Sequence, residues 1–293
     1  MLRAAGPTHR AAAQRQSRRH ATAMEPLSVF ITTFNNAKTL PACLDSVKWA
    51  DEIVVLDSFS TDATAEIASR YGCRFFQHAF LGYGPQKQMA LEHTSHRWVL
   101  LLDADEMLTP ELAEEIRALL ATGPTADGYT LPRQEQLFWR MASTGTRLNH
   151  FLRLFDKTRG HVSDMPIHAA PKVDGKVLPL RHPFYHFGET SVHVKVDKIN
   201  GYSTGLVADK QARGKRANPW IMLVYPPLFF IRIYFFKRNF LNGWAGFINS
   251  VVMAFYAFLK YAKLYEAAQF KRHGDRLMPP GAPAMPGQPR IKG

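Results

Sequence analysis

The chain has 293 residues, 46% of them apolar and 12% aromatic, which is enough for a packed core and excludes global disorder. Its two cysteines, Cys43 and Cys73, stand in neither a CxxC nor a metal-ligand spacing, which argues against a disulfide scaffold or a structural zinc site and for a reducing compartment. The net charge of +13 lies mostly in the tails, with +5 in residues 1–23, +4 in residues 271–293 and only +4 between them; no groove-reading motif accompanies it, so nucleic acid is a poor partner.

Residues 1–23 lack the apolar stretch of a secretory signal and read as a disordered basic extension, with a translation start at Met24 as the alternative. Leu27 to Thr33 reads as a strand, followed by Leu40, Leu44 and Val47 at helical spacing. Glu52 to Asp57 is a second strand, and Ser58 to Asp62 supplies turn and cap chemistry for a helix stopped by Gly72. Cys73 to Gln77 is a third strand. Gly82 to Pro85 then opens a helix with Pro85 expected at its first position, and Trp98 to Leu102 is an apolar strand ending at Asp103. Thr109-Pro110-Glu111 caps a helix with Leu112, Ile116 and Leu120 on one face.

Such alternation predicts an α/β fold with a mainly parallel central sheet, in which ligands bind beyond the carboxyl ends of the strands. The polar clusters Thr33 to Asn35, Asp57 and Asp103-Ala104-Asp105 all fall at those ends. From Gly128 the pattern is less regular, with short strands at 129–131, 151–155 and 177–180, and a helix is expected after Asp197. The domain organisation expected is a catalytic domain over 24–200, an aromatic helical membrane-associating region over 201–270 and a disordered basic tail over 271–293.

Asp103 and Asp105 offer two carboxylates in a loop where Mg²⁺ or Mn²⁺ can bridge them to a diphosphate; alone, the pair reads more readily as a turn capping the next helix, and its context at the strand ends reverses that. Asp57 suits a contact to a base or ribose, whereas Asp62 reads as a helix cap. Lys87 is either a phosphate contact or a solvated lysine. His150, His161, His168, His182, His186 and His193 form no HExxH-type pattern, so a histidine metal centre is disfavoured. Gly82-x-Gly84 lacks a third glycine and is no dinucleotide fingerprint. Fifteen uncharged residues between Arg216 and Arg232, broken by Pro226-Pro227, and twenty-one between Arg238 and Lys260 suit helices lying in a membrane interface; a buried helical core is the alternative.

Together these residues resemble the family 2 glycosyltransferases, and more narrowly the lipopolysaccharide-core β-glucosyltransferases. The resemblance runs through Thr32-Thr33-Phe34-Asn35, Asp57-Ser58-Phe59-Ser60-Thr61-Asp62, Gly82 to Lys87, Leu102 to Glu106, Arg153-Leu154-Phe155 and Asn242 to Phe247. It implies the GT-A nucleotide-sugar fold and an inverting transfer of a hexose from a UDP-sugar, UDP-glucose by preference. The cofactor would be Mg²⁺ or Mn²⁺, and the acceptor a glycolipid at the cytoplasmic face of the inner membrane. By the same resemblance Thr33 and Asn35 line the nucleotide pocket, Asp57 holds the uridine and Lys87 approaches the donor, while Asp103 contacts the ribose and Asp105 the metal.

Two departures stand out. The family usually has Asp where this chain has Asn242, and Val-His-Glu where it has Ile167-His168-Ala169. An inverting displacement needs a base for the acceptor hydroxyl. Asp164 is the first candidate, with His168 orienting it or the acceptor, and Glu189 a substitute; a turn role before Pro166 is the alternative for Asp164. A non-catalytic nucleotide-sugar-binding membrane protein and a sugar-nucleotide nucleotidyltransferase stay open, although the latter would normally show a Gly-rich basic loop where Thr33-Phe34-Asn35-Asn36 stands.

Overall fold

The computed structural model describes residues 24–163, 170–214, 218–273 and 279. Its strands and helices in chain order are β1 (Leu27–Thr33), α1 (Leu40–Val47), β2 (Glu52–Asp57), α2 (Thr64–Arg70), β3 (Arg74–Gln77), α3 (Tyr83–Glu92), β4 (Trp98–Asp103), β5 (Glu106–Leu108) and α4 (Pro110–Thr122). There follow β6 (Gly128–Leu137), β7 (Arg140–Met141), β8 (Asn149–Asp156), β9 (Gly160–Val162), β10 (Pro171–Val173), β11 (Val177–Pro179) and β12 (Phe184–His186). Three helices close the chain: α5 (Val192–Ala212), α6 (Pro219–Ile231) and α7 (Gly243–His273). The described residues divide into two compact units, one drawn from 24–104, 108–131 and 152–182, the other from 105–107, 132–151 and 183–273.

In the first unit β1 pairs in parallel with both β2 and β4, and β2 in parallel with β3. The 152–156 part of β8 runs antiparallel to β4. One face of these strands packs Phe30, Val54, Leu56, Val99 and Leu101 with Ala90 and Leu91 of α3 and Phe155 of β8. Val29, Ile31, Val55, Leu100 and Leu102 alternate to the opposite face and are equally buried, so the strands read as near-continuous apolar runs. The α4 cap is as the sequence indicates: the Leu112 N–H donates to Thr109 Oγ1 at 3.2 Å, and Leu112, Ile116 and Leu120 are buried. In α3, by contrast, Gly82 takes the cap position at φ 109°, and Pro85 is the third helical residue rather than the first.

The second unit contains the last three helices. α5 begins at Val192, earlier than expected, because Ser191 caps it by accepting from Val194 N at 3.1 Å; the alternating Val192, Val194 and Val196 had masked this start. α6 carries Pro226 and Pro227 in its interior, so these prolines do not break the apolar block as the sequence implied, although each removes a helix donor. A π-helical turn over Arg232–Phe236, a left-handed Arg238 (φ 59°) and a 3-10 turn over Asn239–Asn242 return the chain into α7. The two helices lie antiparallel, with Tyr225 against Tyr261 at one end and Tyr234 against Phe247 toward the other.

The turn is held by a buried amide cluster. The Asn242 side chain accepts from Ser143 N at 2.6 Å and donates to Asn239 Oδ1 and Thr146 Oγ1, both at 3.1 Å. Both amide N–H groups find acceptors, which a carboxylate could not match, so this position is built for a neutral amide. Gly246 is required beside it: a Cβ there would sit 1.9 Å from the Asn239 carbonyl oxygen.

At the amino end of β2, Glu52 accepts from Ser28 Oγ, from Ser95 N and Oγ at 2.7 Å each, and from Arg74. Burial pushes its carboxyl up, but these donors outweigh it and bring the pKa from an ordinary 4.5 down to about 2. The stabilisation is therefore complete above the ordinary value and lost as pH falls through the lowered one. Glu52→Gln should lower the melting temperature at pH 7, and the gap from wild type should close as pH falls from 4.5 toward about 2; a pH-independent gap in thermal melts would show that the charge is not what stabilises.

Candidate active site

Register sets the first half of the site. Thr33 pairs with Asp57, and Thr32 with Asp103, so β1, β2 and β4 end at one edge. The loops that follow are tied together. Asn35, left-handed at φ 53°, receives the Thr61 N–H on Oδ1 at 2.9 Å and donates its own N–H to Ser60 Oγ at 2.8 Å. Thr33 Oγ1 donates to Asn36 Oδ1 at 3.1 Å. Asp57 is fully buried and accepts from Ser60 N at 2.8 Å, from Ser60 Oγ and from Gln77 Nε2 at 3.1 Å. Asp62 is not the cap the sequence suggested, since Ala63 holds that position of α2 without a side-chain cap bond; Asp62 instead accepts from Thr64 N and Oγ1 and from Ala37 N, and the Thr64 hydroxyl chiefly holds its carboxyl below the usual range.

Lys87 is no solvated lysine. It is 8% exposed, with Nζ 2.6 Å from Asp103 Oδ1, while Arg153 NH2 approaches Asp103 Oδ2 at 3.4 Å. Two cations thus converge on the first carboxylate of the Asp103-Ala104-Asp105 sequence.

Asp105 belongs to the second unit, where it meets groups that the sequence did not single out. β12 pairs in parallel with β6, placing His186 opposite Glu135 and Phe184 opposite Arg133. His186 Nδ1 lies 2.6 Å from Glu135 Oε2 and its Nε2 lies 3.4 Å from Asp105 Oδ2. The Phe187 N–H, next in the chain, donates to the Asp105 carbonyl at 2.9 Å. Arg133 donates to Glu135 Oε1 at 2.7 Å and stacks over Phe151 with its guanidinium carbon 4.1 Å from the ring centroid.

Burial disfavours charge on His186, but its bonds to Asp105 and Glu135 outweigh burial and raise its pKa well above the ordinary histidine range. Burial likewise opposes ionisation of Glu135, and His186 with Arg133 overcomes it and depresses that carboxyl.

The remaining candidates are dispersed. His182 sits on Glu115 and His193 on Asp197, and Glu189 is paired with Lys195 while its carbonyl accepts the Phe138 N–H. Asp164, His168 and Ala169 lie outside the described residues. Among the described residues no group of three or more His, Cys, Asp or Glu is arranged to hold a metal. His186, protonated and held between Glu135 and Asp105, is bonded as a donor on both ring nitrogens, so it positions the Asp105 carboxylate and offers no lone pair to a metal. The sequence pattern indicated a strand only over 129–131, whereas β6 continues to Leu137, so nothing local singled out Glu135.

A parallel sheet whose carboxyl edge gathers acids, amides and paired cations is suited to a polar, phosphate-bearing ligand. The profile described as "Glycosyl transferase family 2" matches residues 28–171. The lipopolysaccharide core biosynthesis glycosyltransferase LpsC of Rhizobium meliloti is 34% identical over 255 residues, covering 84% of this chain and 94% of that protein. An uncharacterized glycosyltransferase of Rickettsia felis is 32% identical over 258 residues, covering 83% and 91%. Among solved structures, the mannosyltransferase PcManGT of Pyrobaculum calidifontis, in complex with GDP-Man and Mn²⁺, is 15% identical and aligns over 87% of this chain and 93% of that one with a TM-score of 0.49. The chain belongs to glycosyl transferase family 2, and its α/β fold is of the GT-A type. It is a glycosyltransferase.

Removing the charge on Glu135 tests how His186 is held. In the wild type the His186 ring resonances should not titrate between about pH 5 and 8, because the imidazolium persists. In Glu135→Gln the titration should move down toward the ordinary histidine range, followed by NMR; a variant that titrates like wild type would show that Asp105 alone keeps His186 protonated.

Proposed function

We propose that the protein transfers a hexose from a UDP-sugar, with UDP-glucose the first donor to test, to a lipopolysaccharide-core or related envelope glycolipid with inversion at the anomeric carbon. The observation that carries this is the Asp105–His186–Glu135 chain of contacts, two residues along the sequence from an Asp103 flanked by Lys87 and Arg153. The acceptor class is drawn from LpsC, similar over most of both chains. The protein would work at the cytoplasmic face of the inner membrane, where such acceptors are built.

In this reading Thr33 and Asn35 line the nucleotide pocket. Asp57 already uses three of its roughly four acceptor positions on Ser60 and Gln77, and the last serves the uridine. Asp103 contacts the ribose, and Lys87 with Arg153 faces the diphosphate. Asp105 would hold Mg²⁺ or Mn²⁺, with protonated His186 positioning its carboxylate, and the ion would offset charge on the departing diphosphate. The acceptor oxygen bonds to the anomeric carbon as the bond from that carbon to phosphate oxygen breaks, and the diphosphate leaves with the electron pair. The hydroxyl proton passes to a base, for which Asp164 is proposed with His168 orienting it.

Titration of the full chain with a panel of nucleotide sugars, with and without Mn²⁺, should show metal-dependent binding of one UDP-sugar, weakened at least about a hundredfold in Asp105→Ala. An equal affinity in the variant would remove Asp105 from the metal site. The family's Glu is replaced by Ala169, which favours a second reading as a binder without a base. Asp164→Asn separates the two: wild-type transfer lost in the variant with donor binding kept identifies the base, and a wild type that binds donor but neither transfers nor hydrolyses it supports the binder.

A further inference from the structure

The α6–α7 hairpin of the second unit is built inside out. On α6 the half-buried positions are Ile221, Met222, Tyr225, Pro226, Phe229 and Phe230, on the side where Tyr225 and Phe230 meet α7. The exposed positions are Trp220, Leu223, Val224, Pro227, Leu228 and Ile231, spaced three and one apart, and the same phase returns at Phe235. That is one continuous outward stripe, and none of the 18 residues from Pro219 to Phe236 is buried. On α7, Trp244, Phe247, Val251, Phe255 and Phe258 form a second exposed stripe at helical spacing, while the polar Asn249 and Ser250 point inward and are buried. Trp220 and Trp244 are 70% and 75% exposed. Water is the wrong solvent for such a surface.

Charge identifies the occupant. From Lys210 to Tyr265 the sequence has nine Lys and Arg and no Asp or Glu. Arg232, Lys237 and Arg238 collect at the turn of the hairpin, and Lys260 and Lys263 lie at its other end. An apolar stripe collared by cations, with Glu266 beyond Lys263 the one acid on α7, matches the acyl boundary and headgroups of an anionic lipid surface.

The hairpin is long enough to cross a bilayer, since 18 residues at 1.5 Å each span about 27 Å. Its attachments forbid it. At the turn, Lys237 donates from Nζ to Asn149 Oδ1 at 2.9 Å, its carbonyl accepts from Arg147 N, and Asn242 is bonded to Ser143 and Thr146. At the other end Lys263 Nζ donates to Asn200 and Thr204 of α5 at 2.7 Å, and Lys210 of α5 stacks on Tyr261. Both ends are pinned to the same unit.

We infer that the α6–α7 hairpin lies flat in the surface of an anionic membrane, inserting Trp220, Leu223, Leu228 and Trp244 without crossing it. This rests on the membrane placement proposed above and not on the transfer reaction, so vesicle binding and nucleotide-sugar titration can fail separately.

The test is co-sedimentation of the full chain with phosphatidylcholine vesicles, with or without about 30% phosphatidylglycerol. Binding at least about tenfold tighter to the anionic vesicles, weakened in about 0.5 M salt and removed by an alkaline wash, is the expected result. Trp220→Ser/Leu228→Ser/Trp244→Ser should lose about tenfold in binding at an unchanged melting temperature. Should that variant fold poorly, Trp220→Phe and Trp244→Phe should each remove part of the tryptophan quenching by brominated lipid. Equal binding to both vesicle types would overturn the inference, as would retention after alkaline wash with protease protection of the turn, which marks a span. So would a dimer that the triple variant dissociates while vesicles go unbound, because a second copy of the chain would then cover the face.

Discussion

Thr33 stands beside Asp57, and Thr32 beside Asp103, because β1 pairs in parallel and in register with both of its neighbours. A slip of one residue on either side would turn alternate side chains to the other face and bury a carboxylate against Leu or Val. The apolar runs of β1 and β4 prevent this, since both faces are covered and the central positions must be apolar, with Ser28 near the start of β1 satisfied by Glu52. Packing therefore decides where the chemistry sits: polar side chains are admitted only where the strands run out, and on these three strands they run out together.

The second unit solves a harder problem, since its charged groups are enclosed. An isolated buried carboxylate would shift toward its neutral form. Glu135 stays ionised by sitting between Arg133 on its own strand and His186 across the ladder, and His186 in turn reaches Asp105. Removing one member would strand the others, and a buried charge left without its partner is strongly destabilising. The same chain of contacts fixes which ring nitrogen of His186 faces Asp105, so the support that stabilises the unit also orients the Asp105 carboxylate.

Local rules made the first unit legible. Strand, cap and stop signals near Leu27, Glu52, Trp98 and Thr109 agree with the elements formed, because each is decided within a few residues by apolar runs, Pro and Thr or Gly. The partnership of Glu135 with His186 was not legible. It depends on a register between strands about fifty residues apart in sequence, and nothing local marks a three-residue strand such as Phe184–His186. The start of α5 was hidden for a different reason: alternating valines carry a strand period, and only the Ser191 cap overrules it. Pro226 and Pro227 misled because proline rules describe intrinsic preference, which packing of Tyr225 and Phe229 on α7 overrides.

The hairpin reverses the usual division of labour between inside and outside. In water, a helix pair gains most of its stability by turning apolar faces toward each other, and polar groups placed between them weaken it. Here Asn239, Asn242 and Ser250 are buried together and satisfied by one another and by Gly246, while the large apolar side chains face outward. Such an arrangement costs little where the outer solvent is lipid, since the driving force for apolar contact between the helices has gone and close packing with hydrogen bonds takes over. Gly246 fits that logic: its missing Cβ lets the backbone at Asn239 approach, and no side chain on an exposed face could supply that closeness. On the membrane placement proposed above, the polar cluster and the outward aromatic stripe would be two expressions of one environment, a helix pair cemented from within with its outer face wetted by lipid.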